Sequence, residues 1–102
     1  MGTYNRAAII GRAIESVLAQ DFQDWELIVV GHATPDDTAG VVASYNDSRI
    51  SFHNMPDRVP DTGSATKNYG IKNFARAPYI AYLDDDDRYK SNFLSTMMGY
   101  LL

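Results

Sequence analysis

The sequence contains no cysteine, so it can form neither a disulfide bond nor a thiolate metal site. This absence fits a reducing compartment. The only histidines, His32 and His53, lie far apart in the sequence, so a zinc site is not expected. No apolar run approaches the length of a membrane span, and no signal peptide is recognisable. We therefore expect a soluble, cytoplasmic protein.

Basic residues are also scarce. Nine lysines and arginines face 13 acidic residues, which gives a formal net charge of -4. Proteins that bind nucleic acids gather cations to neutralise phosphates, so this balance argues against a nucleic-acid partner. With 102 residues, 45% of them hydrophobic, the chain is long enough to bury a core. We expect a single domain over residues 1–102.

Helical and strand patterns alternate along the chain. Apolar residues at three-four spacing predict a helix over about residues 7–20, and a β-branched apolar run predicts a buried strand at 25–30. A hydroxyl, a proline and two acids at 34–37 predict the start of a second helix that ends near residue 45. The remaining predicted elements are a strand at 49–53, a loop at 54–63, a helix at about 64–76, a strand at 79–83 and a last helix that carries Phe93 and Leu101.

This alternation predicts an α/β fold with a mostly parallel sheet and helices packed on it. Ligands of such sheets bind beyond the carboxyl ends of the strands. Four consecutive aspartates, at 84–87, directly follow the predicted strand at 79–83. Carboxylates held close together repel one another, and Mg²⁺ or Mn²⁺ relieves that repulsion. The alternative is a solvated acidic turn that caps the following helix.

Four blocks of the sequence occur in a characteristic order. They are TYNR at 3–6, SVLAQDFQDWELIVV at 16–30, GSATKNYGI at 63–71 and LDDDD at 83–87. Together they resemble the N-terminal half of the nucleotide-sugar-dependent glycosyltransferases of family 2, and the similarity extends over nearly the whole chain. The resemblance implies a Rossmann-like, nucleotide-binding half of a GT-A fold. It also implies a nucleoside diphosphate sugar as ligand, with a UDP-sugar as the expected donor.

In that family the last block is a DxD-type motif. The resemblance therefore implies that Asp84 and Asp86 hold a divalent cation, Mg²⁺ or Mn²⁺. It also assigns Asp84 and Asp85 to the donor's ribose and diphosphate.

The same resemblance points to further nucleotide contacts. Thr3, Tyr4 and Asn5 lie in the opening block, which helps to cradle the nucleotide. Lys67 replaces the usual arginine and keeps its positive charge, so we expect it to contact a base or a phosphate. His32 lies where the family usually has acids, one of which recognises the base. A ring nitrogen can also bond to a base, so His32 is a candidate contact; an ordinary loop histidine is the alternative.

Two other departures from the family pattern affect what this chain can do. The apolar first strand that precedes the TYNR-like block is missing, which leaves backbone groups of two inner strands unpaired. Because a neighbouring chain can fill that gap, we expect self-association. The acceptor-binding half and the general base are expected beyond Leu102, so no catalytic residue is assigned and the fragment is expected to be inactive.

For the full-length protein the resemblance implies an inverting transfer. An acceptor hydroxyl of a sugar or glycan attacks the donor sugar, and the nucleoside diphosphate leaves. The alternative is a noncatalytic interaction or divalent-metal-binding module with a GT-A-like fold.

Overall fold

Three parallel strands form the sheet at the centre of the molecule. The computed structural model describes residues 1–60 and 64–101. The strands are β1 (Gly2–Thr3), β2 (Leu27–Gly31) and β3 (Ile50–Asn54), in the spatial order β1-β2-β3. Thr3 lies opposite Gly31, which in turn lies opposite Asn54. All three strands therefore end at the same edge of the sheet, and the loops that leave this edge lie side by side.

Helices pack against both faces of this sheet. The helices of the described residues are α1 (Gly11–Leu18), α2 (Thr38–Ala43), α3 (Ser64–Asn73) and α4 (Phe93–Leu101), the last of which has no buried residue. The predicted apolar face of the first helix is buried, and each apolar side chain buried there stabilises the fold by roughly 1.5–3 kcal/mol. The core cluster consists of Ile10, Ala13, Ile14, Val17, Leu27, Val29, Val42 and Leu83. In residues 1–60 and 64–101, no helix combines the length and the apolar character needed to cross a membrane.

Two glycines let α3 approach the sheet closely. A Cβ placed on Gly70 would lie 3.1 Å from Val30 Cγ2, and one placed on Gly2 would lie 2.1 Å from Thr66 Oγ1. The second distance leaves no room for any side chain at Gly2. This close contact sets Lys67, the next residue of α3, beside the short first strand.

The predicted α/β class is confirmed, but the strand predicted at residues 79–83 is wrong. That segment forms no ladder, and Tyr79 and Ile80 are exposed. A strand needs a neighbouring strand with which its backbone exchanges hydrogen bonds, and β1, at one edge of the sheet, offers only two residues for such pairing. Only Leu83, at the end of the segment, enters the core. The first strand, treated above as missing, is thus retained as a two-residue strand.

Two helix starts also differ from the predictions. Residues 7–10 form turns, and α1 begins at Gly11. Helix α2 is capped by Asp37, whose side chain accepts a hydrogen bond from the Gly40 N–H at 3.2 Å. Thr34 is not the cap, because its hydroxyl is used in a contact with another loop. Three residues of the predicted loop, 61–63, lie outside the described residues.

Candidate functional site

The four consecutive aspartates form a turn after the buried Leu83. The Asp87 N–H donates to the Asp84 carbonyl at 3.1 Å, which closes the turn. The side chains of Asp84 and Asp86 are 66% and 58% exposed, whereas Asp85 as a residue is only 9% exposed. The turn thus presents three of its four carboxylates, including that of Asp87, to solvent and directs one inward.

Cations from two other segments meet this turn. Lys67 Nζ of α3 lies 3.8 Å from Asp84 Oδ1. Arg6, which follows β1, lies 3.7 Å from Asp85 and 3.5 Å from Asp86. These separations exceed the 2.7–2.9 Å or so of a short charge-assisted hydrogen bond, and such exposed pairs contribute little to stability. The two cations therefore offset part of the negative charge of the turn without being held rigidly against it.

Two of the exposed carboxylates, those of Asp84 and Asp86, fit the donor set that a hard cation prefers in a nucleotide site. Mg²⁺ is commonly bound by one or two carboxylates, with water and substrate phosphates completing its shell. Asp84 and Asp86 supply that number of protein ligands. Among the residues that the structure describes, no group of three or more histidine or acidic side chains is placed to hold a metal ion by itself. Any cation at the turn would thus depend on ligands from a bound molecule.

The opening block is held by a hydrogen-bond network from the loop between β2 and α2. Asn5 has a φ of 55°, and its N–H donates to Thr34 Oγ1 at 2.8 Å. The Ala7 N–H donates to Asp36 Oδ2 at 2.9 Å. Asp36 Oδ1 accepts from the hydroxyls of Thr38, at 2.6 Å, and Thr34, at 2.7 Å. The Thr38 hydroxyl, then the Ala7 amide and the Thr34 hydroxyl, lower the pKa of Asp36 to about 2.

Thr3 and His32, two of the predicted nucleotide-binding residues, are buried and hydrogen-bonded to each other. The His32 N–H donates to the Thr3 carbonyl at 2.9 Å, and the His32 ring Nε2 accepts from the Val59 N–H at 3.1 Å. An imidazole that accepts at Nε2 carries its proton on Nδ1. Thr3 is 4% exposed, and its hydroxyl oxygen has no hydrogen-bond partner among the described residues.

Tyr4 remains exposed at the same edge of the sheet. The guanidinium of Arg58 lies over its ring, with 3.6 Å between Arg58 Cζ and the ring centroid. On the acidic side, Lys67 Nζ lies 5.3 Å from the centroid of the Tyr82 ring. The predicted residues thus occupy two adjoining regions, one around the acidic turn and one around the opening block.

Gln20, which no sequence pattern singled out, anchors the segment after the acidic turn. Gln20 is 1% exposed; its Nε2 donates to the Lys90 carbonyl at 2.7 Å and its Oε1 accepts from the Leu94 N–H at 3.0 Å. Its Nε2 also donates to the Ser16 carbonyl at 3.0 Å. These partners lie about 70 residues away in two of the three cases, so no local pattern identifies the role. A glutamine at the end of an apolar helix face was the one available signal.

Arg6 and Asp36 were also missed as site residues. Arg6 belongs to the TYNR block, but its pairing with the turn requires residues 85 and 86 to be brought near. Two open grooves elsewhere on the described surface do not include any of the predicted site residues. One, of about 640 Å³, lies between α2 and β3, and the other, of about 380 Å³, lies beside the end of α3.

The comparison with known families covers the whole sequence. Residues 1–102 match the family described as Glycosyl transferase family 2. The chain belongs to this family. Its acidic turn and opening block thus lie in a family 2 domain, and the predicted resemblance is confirmed.

Bacterial glycosyltransferases are among the relatives. The chain is 36% identical over 98 residues to the GalNAc(5)-diNAcBac-PP-undecaprenol beta-1,3-glucosyltransferase of Campylobacter jejuni, and this match covers 94% of the chain and 31% of that protein. It is 31% identical over 102 residues to the UDP-Glc:alpha-D-GlcNAc-diphosphoundecaprenol beta-1,3-glucosyltransferase WfgD of Escherichia coli, covering 100% of the chain and 39% of that protein. The chain thus spans well under half the length of either relative.

Solved structures of TarS from S. aureus share the fold. The crystal structure of TarS 1-349 in complex with UDP-GlcNAc matches with a TM-score of 0.88 at 22% identity, over 98% of this chain and 29% of that one. The complex of TarS 1-349 with UDP matches with a TM-score of 0.87 at 23% identity, over 98% of this chain and 30% of that one. These likenesses confirm the predicted GT-A, Rossmann-like architecture.

Proposed function

We propose that this chain is the nucleotide-sugar-binding part of an inverting glycosyltransferase, which transfers a sugar from a nucleoside diphosphate sugar to an acceptor hydroxyl. One observation carries the proposal: Arg6 and Lys67, from separate segments, meet the exposed carboxylates of the turn beside β1. Membership of glycosyl transferase family 2 over the full chain supports it. A UDP-sugar is the proposed donor, because WfgD is named for UDP-Glc and TarS has been crystallised with UDP-GlcNAc.

The cations of the site are proposed to bind the donor's diphosphate. The ion pairs of Lys67 and Arg6 with the turn are all 3.5 Å or longer, so each cation is able to turn towards phosphate oxygens. Asp85, buried beside the Arg6 guanidinium, is proposed to keep this cation close to the turn; direct contact with the ribose remains its other proposed role.

We propose that Asp84 and Asp86 hold Mg²⁺ or Mn²⁺ together with the donor. When bound, such a cation supplies positive charge that stabilises the departing diphosphate. Two carboxylates alone make a weak site, and the nearby cations of the protein oppose the entry of a second positive charge. We therefore expect the protein to bind the metal more tightly when the nucleotide is already bound, and to bind the nucleotide more tightly when the metal is already bound.

The nucleotide itself is proposed to lie along the opening block. Thr3, Tyr4 and Asn5 are proposed contacts, with Tyr4 offering an exposed aromatic face. The backbone of Asn5 is already fixed by Thr34, so this part of the site needs little ordering when the ligand binds. His32 is a proposed contact only through Nδ1, because its Nε2 is bonded to the main chain.

The acceptor, a sugar or glycan, and the general base are proposed to involve other parts of the full-length protein. We accordingly infer that these 102 residues bind a donor but do not transfer its sugar. Self-association is proposed through the exposed apolar side chains of Tyr79, Ile80 and Tyr100. A cytoplasmic location is proposed from the lack of cysteine.

One alternative has a specific observation in its favour. Gly31, the last residue of β2, and His32 lie where the resemblance implies two acids, and the His32 side chain bonds to the protein's own backbone. This is compatible with a noncatalytic interaction or metal-binding module that keeps the fold.

Calorimetry separates the two functions. UDP, GDP and TDP are titrated into the protein, each with and without Mn²⁺. We expect UDP to bind, with Mn²⁺ raising its affinity at least several-fold, and the double change Asp84→Asn with Asp86→Asn to abolish this gain. Asp87→Asn is the matched control in the same turn. If no nucleotide binds under any of these conditions, the donor-binding function is excluded and the module remains.

A further inference from the structure

Arg58 is a cation at the site that has no acidic partner among the described residues. It is exposed, and its Cζ lies 3.6 Å from the centroid of the Tyr4 ring. Within residues 1–60 and 64–101, no carboxylate oxygen lies within 4 Å of its guanidinium nitrogens, whereas Arg6 and Lys67 each have an acidic partner. A guanidinium that lies over a ring keeps its N–H donors, which point outward in its plane, for an anion.

His32 ties the segment that carries Arg58 to the opening block. The ring Nε2 of His32 accepts from the N–H of Val59, the residue after Arg58, and the His32 N–H donates to the carbonyl of Thr3, the residue before Tyr4. The two members of the Arg58–Tyr4 pair are thus each one residue away from a bond to His32. Because His32 is buried, these bonds are protected from water and hold the two backbones in place.

We propose that Arg58 is a further binding residue for the phosphates of the nucleotide, carried by the Tyr4 ring and positioned by His32. This rests on the proposed donor-binding function. It assigns His32 a positioning role, because the ring Nε2 of His32 is the acceptor that holds the segment at Val59. It also gives the site a cation that no carboxylate of the described chain neutralises.

If Arg58 binds the phosphates, changing it should weaken the binding of ligands that carry phosphate and leave the binding of uridine unchanged. UDP and uridine are titrated calorimetrically into the wild-type protein and Arg58→Gln, in the presence of Mn²⁺. We expect the affinity for UDP to fall about 3- to 10-fold, with a weaker dependence on salt, and the affinity for uridine to stay within about twofold. Arg12→Gln, the same change at an exposed arginine of α1, is the matched control and should leave both affinities unchanged.

His32 is tested by a pair of variants. His32→Leu removes the acceptor for Val59, so the affinity for UDP should fall by a similar factor, and it should fall no further when Arg58→Gln is added. His32→Gln, which keeps an acceptor, should retain more of the affinity. Arg58→Lys keeps the charge but not the planar group, and should lie between the wild type and Arg58→Gln; it provides the test if His32→Leu does not fold.

Three outcomes would overturn the inference. Equal binding of UDP by the wild type and Arg58→Gln would show that Arg58 contributes nothing to the phosphate site. Tighter binding of uridine or UDP by Arg58→Gln would show that Arg58 covers the Tyr4 ring instead. If the wild-type protein binds no nucleotide at all, the proposed function fails and this inference fails with it, which distinguishes that result from the first two.

Discussion

The acidic turn and the loop between β2 and α2 both carry carboxylates to the carboxyl edge of the sheet, but they use them differently. In the loop, Asp36 accepts three hydrogen bonds of 2.6–2.9 Å and fixes the backbone of the opening block. In the turn, Asp84 and Asp86 are paired with cations at 3.5 Å or more. The loop therefore orders one side of the site before a ligand binds. The charged groups of the turn remain able to exchange their ion-pair partners for a ligand.

This difference teaches how a small scaffold can combine stability with binding. Hydrogen bonds between charged and neutral groups at short distance stabilise the folded chain, whereas long, exposed ion pairs contribute little. Substitutions in the scaffold should thus change the free energy of unfolding. Substitutions among the paired cations of the turn should change ligand binding.

The largest expected effect lies at Gln20, which anchors the segment that follows the acidic turn. Gln20→Leu leaves the Lys90 carbonyl and the Leu94 N–H without their partner, at a cost of about 2–4 kcal/mol. The thermal midpoint should fall by about 10–20 °C in a calorimetric or circular dichroism melt. Gln20→Glu keeps an acceptor for the Leu94 N–H, so its thermal midpoint should fall less than that of Gln20→Leu. A melt unchanged by Gln20→Leu would show that Gln20 does not anchor the segment after the turn.

Asp36 should give the next largest effect. Asp36→Asn provides one acceptor oxygen in place of two, so the contacts with Ala7 and with the two threonines cannot all be kept. We expect the thermal midpoint to fall by about 5–10 °C. Asp37→Asn is the matched control, because asparagine also caps helices well. Equal losses in the two variants would contradict a special role for Asp36.

The pH dependence of stability tests the same carboxylate. Its folded-state pKa is lowered from 3.8 to about 2, so its stabilisation is present above about pH 4 and is lost as the pH falls towards 2. The wild-type midpoint should therefore fall more steeply than that of Asp36→Asn between pH 5 and about pH 2. Asp47, whose pKa Arg49 also lowers to about 2, contributes in both proteins and cancels in the comparison.

Elements that depend on residues close together in the sequence were predictable, whereas elements that depend on a distant partner were not. Periodicity identified α1, β2 and β3, because their buried faces are encoded locally. The strand at 79–83 was predicted from equally apolar residues and is wrong, since strand formation depends on a partner that the pattern does not describe. The family blocks located the acidic turn.

The contacts that organise the site were harder to predict. Thr34 has the composition of a helix cap, yet its hydroxyl accepts from Asn5, 29 residues earlier, and Asp37 caps the helix instead. The bond between Val59 and His32 likewise spans 27 residues. A serine, threonine or acid near a helix start has several possible partners, and only the folded backbone selects among them.

A smaller effect is expected at Ala33, which lies in the same loop as Asp36. Ala33 has a φ of 52°, in the left-handed region that costs a residue with a Cβ about 1–2 kcal/mol. Ala33→Gly removes this strain but adds conformational freedom to the unfolded chain. We therefore expect the free energy of unfolding, measured with a denaturant, to rise by about 0.5–1 kcal/mol. Ala39→Gly, the same change inside α2, should instead lower the free energy of unfolding by about 1 kcal/mol. A loss in both variants would show that the backbone at Ala33 is not strained.

The smallest effect on stability, and the sharpest contrast between the two regions, is expected at Lys67. Its pair with Asp84 is 3.8 Å long and partly exposed, so Lys67→Gln should change the free energy of unfolding by less than about 0.5 kcal/mol. The same variant should weaken the binding of UDP by about tenfold, because a phosphate loses a cation. Lys72→Gln, on the same helix, controls for the lost charge. If Lys67→Gln lowered stability as much as Asp36→Asn while leaving UDP binding intact, the turn would be as structural as the loop, and the division between a fixed side and an exchangeable side of the site would fail.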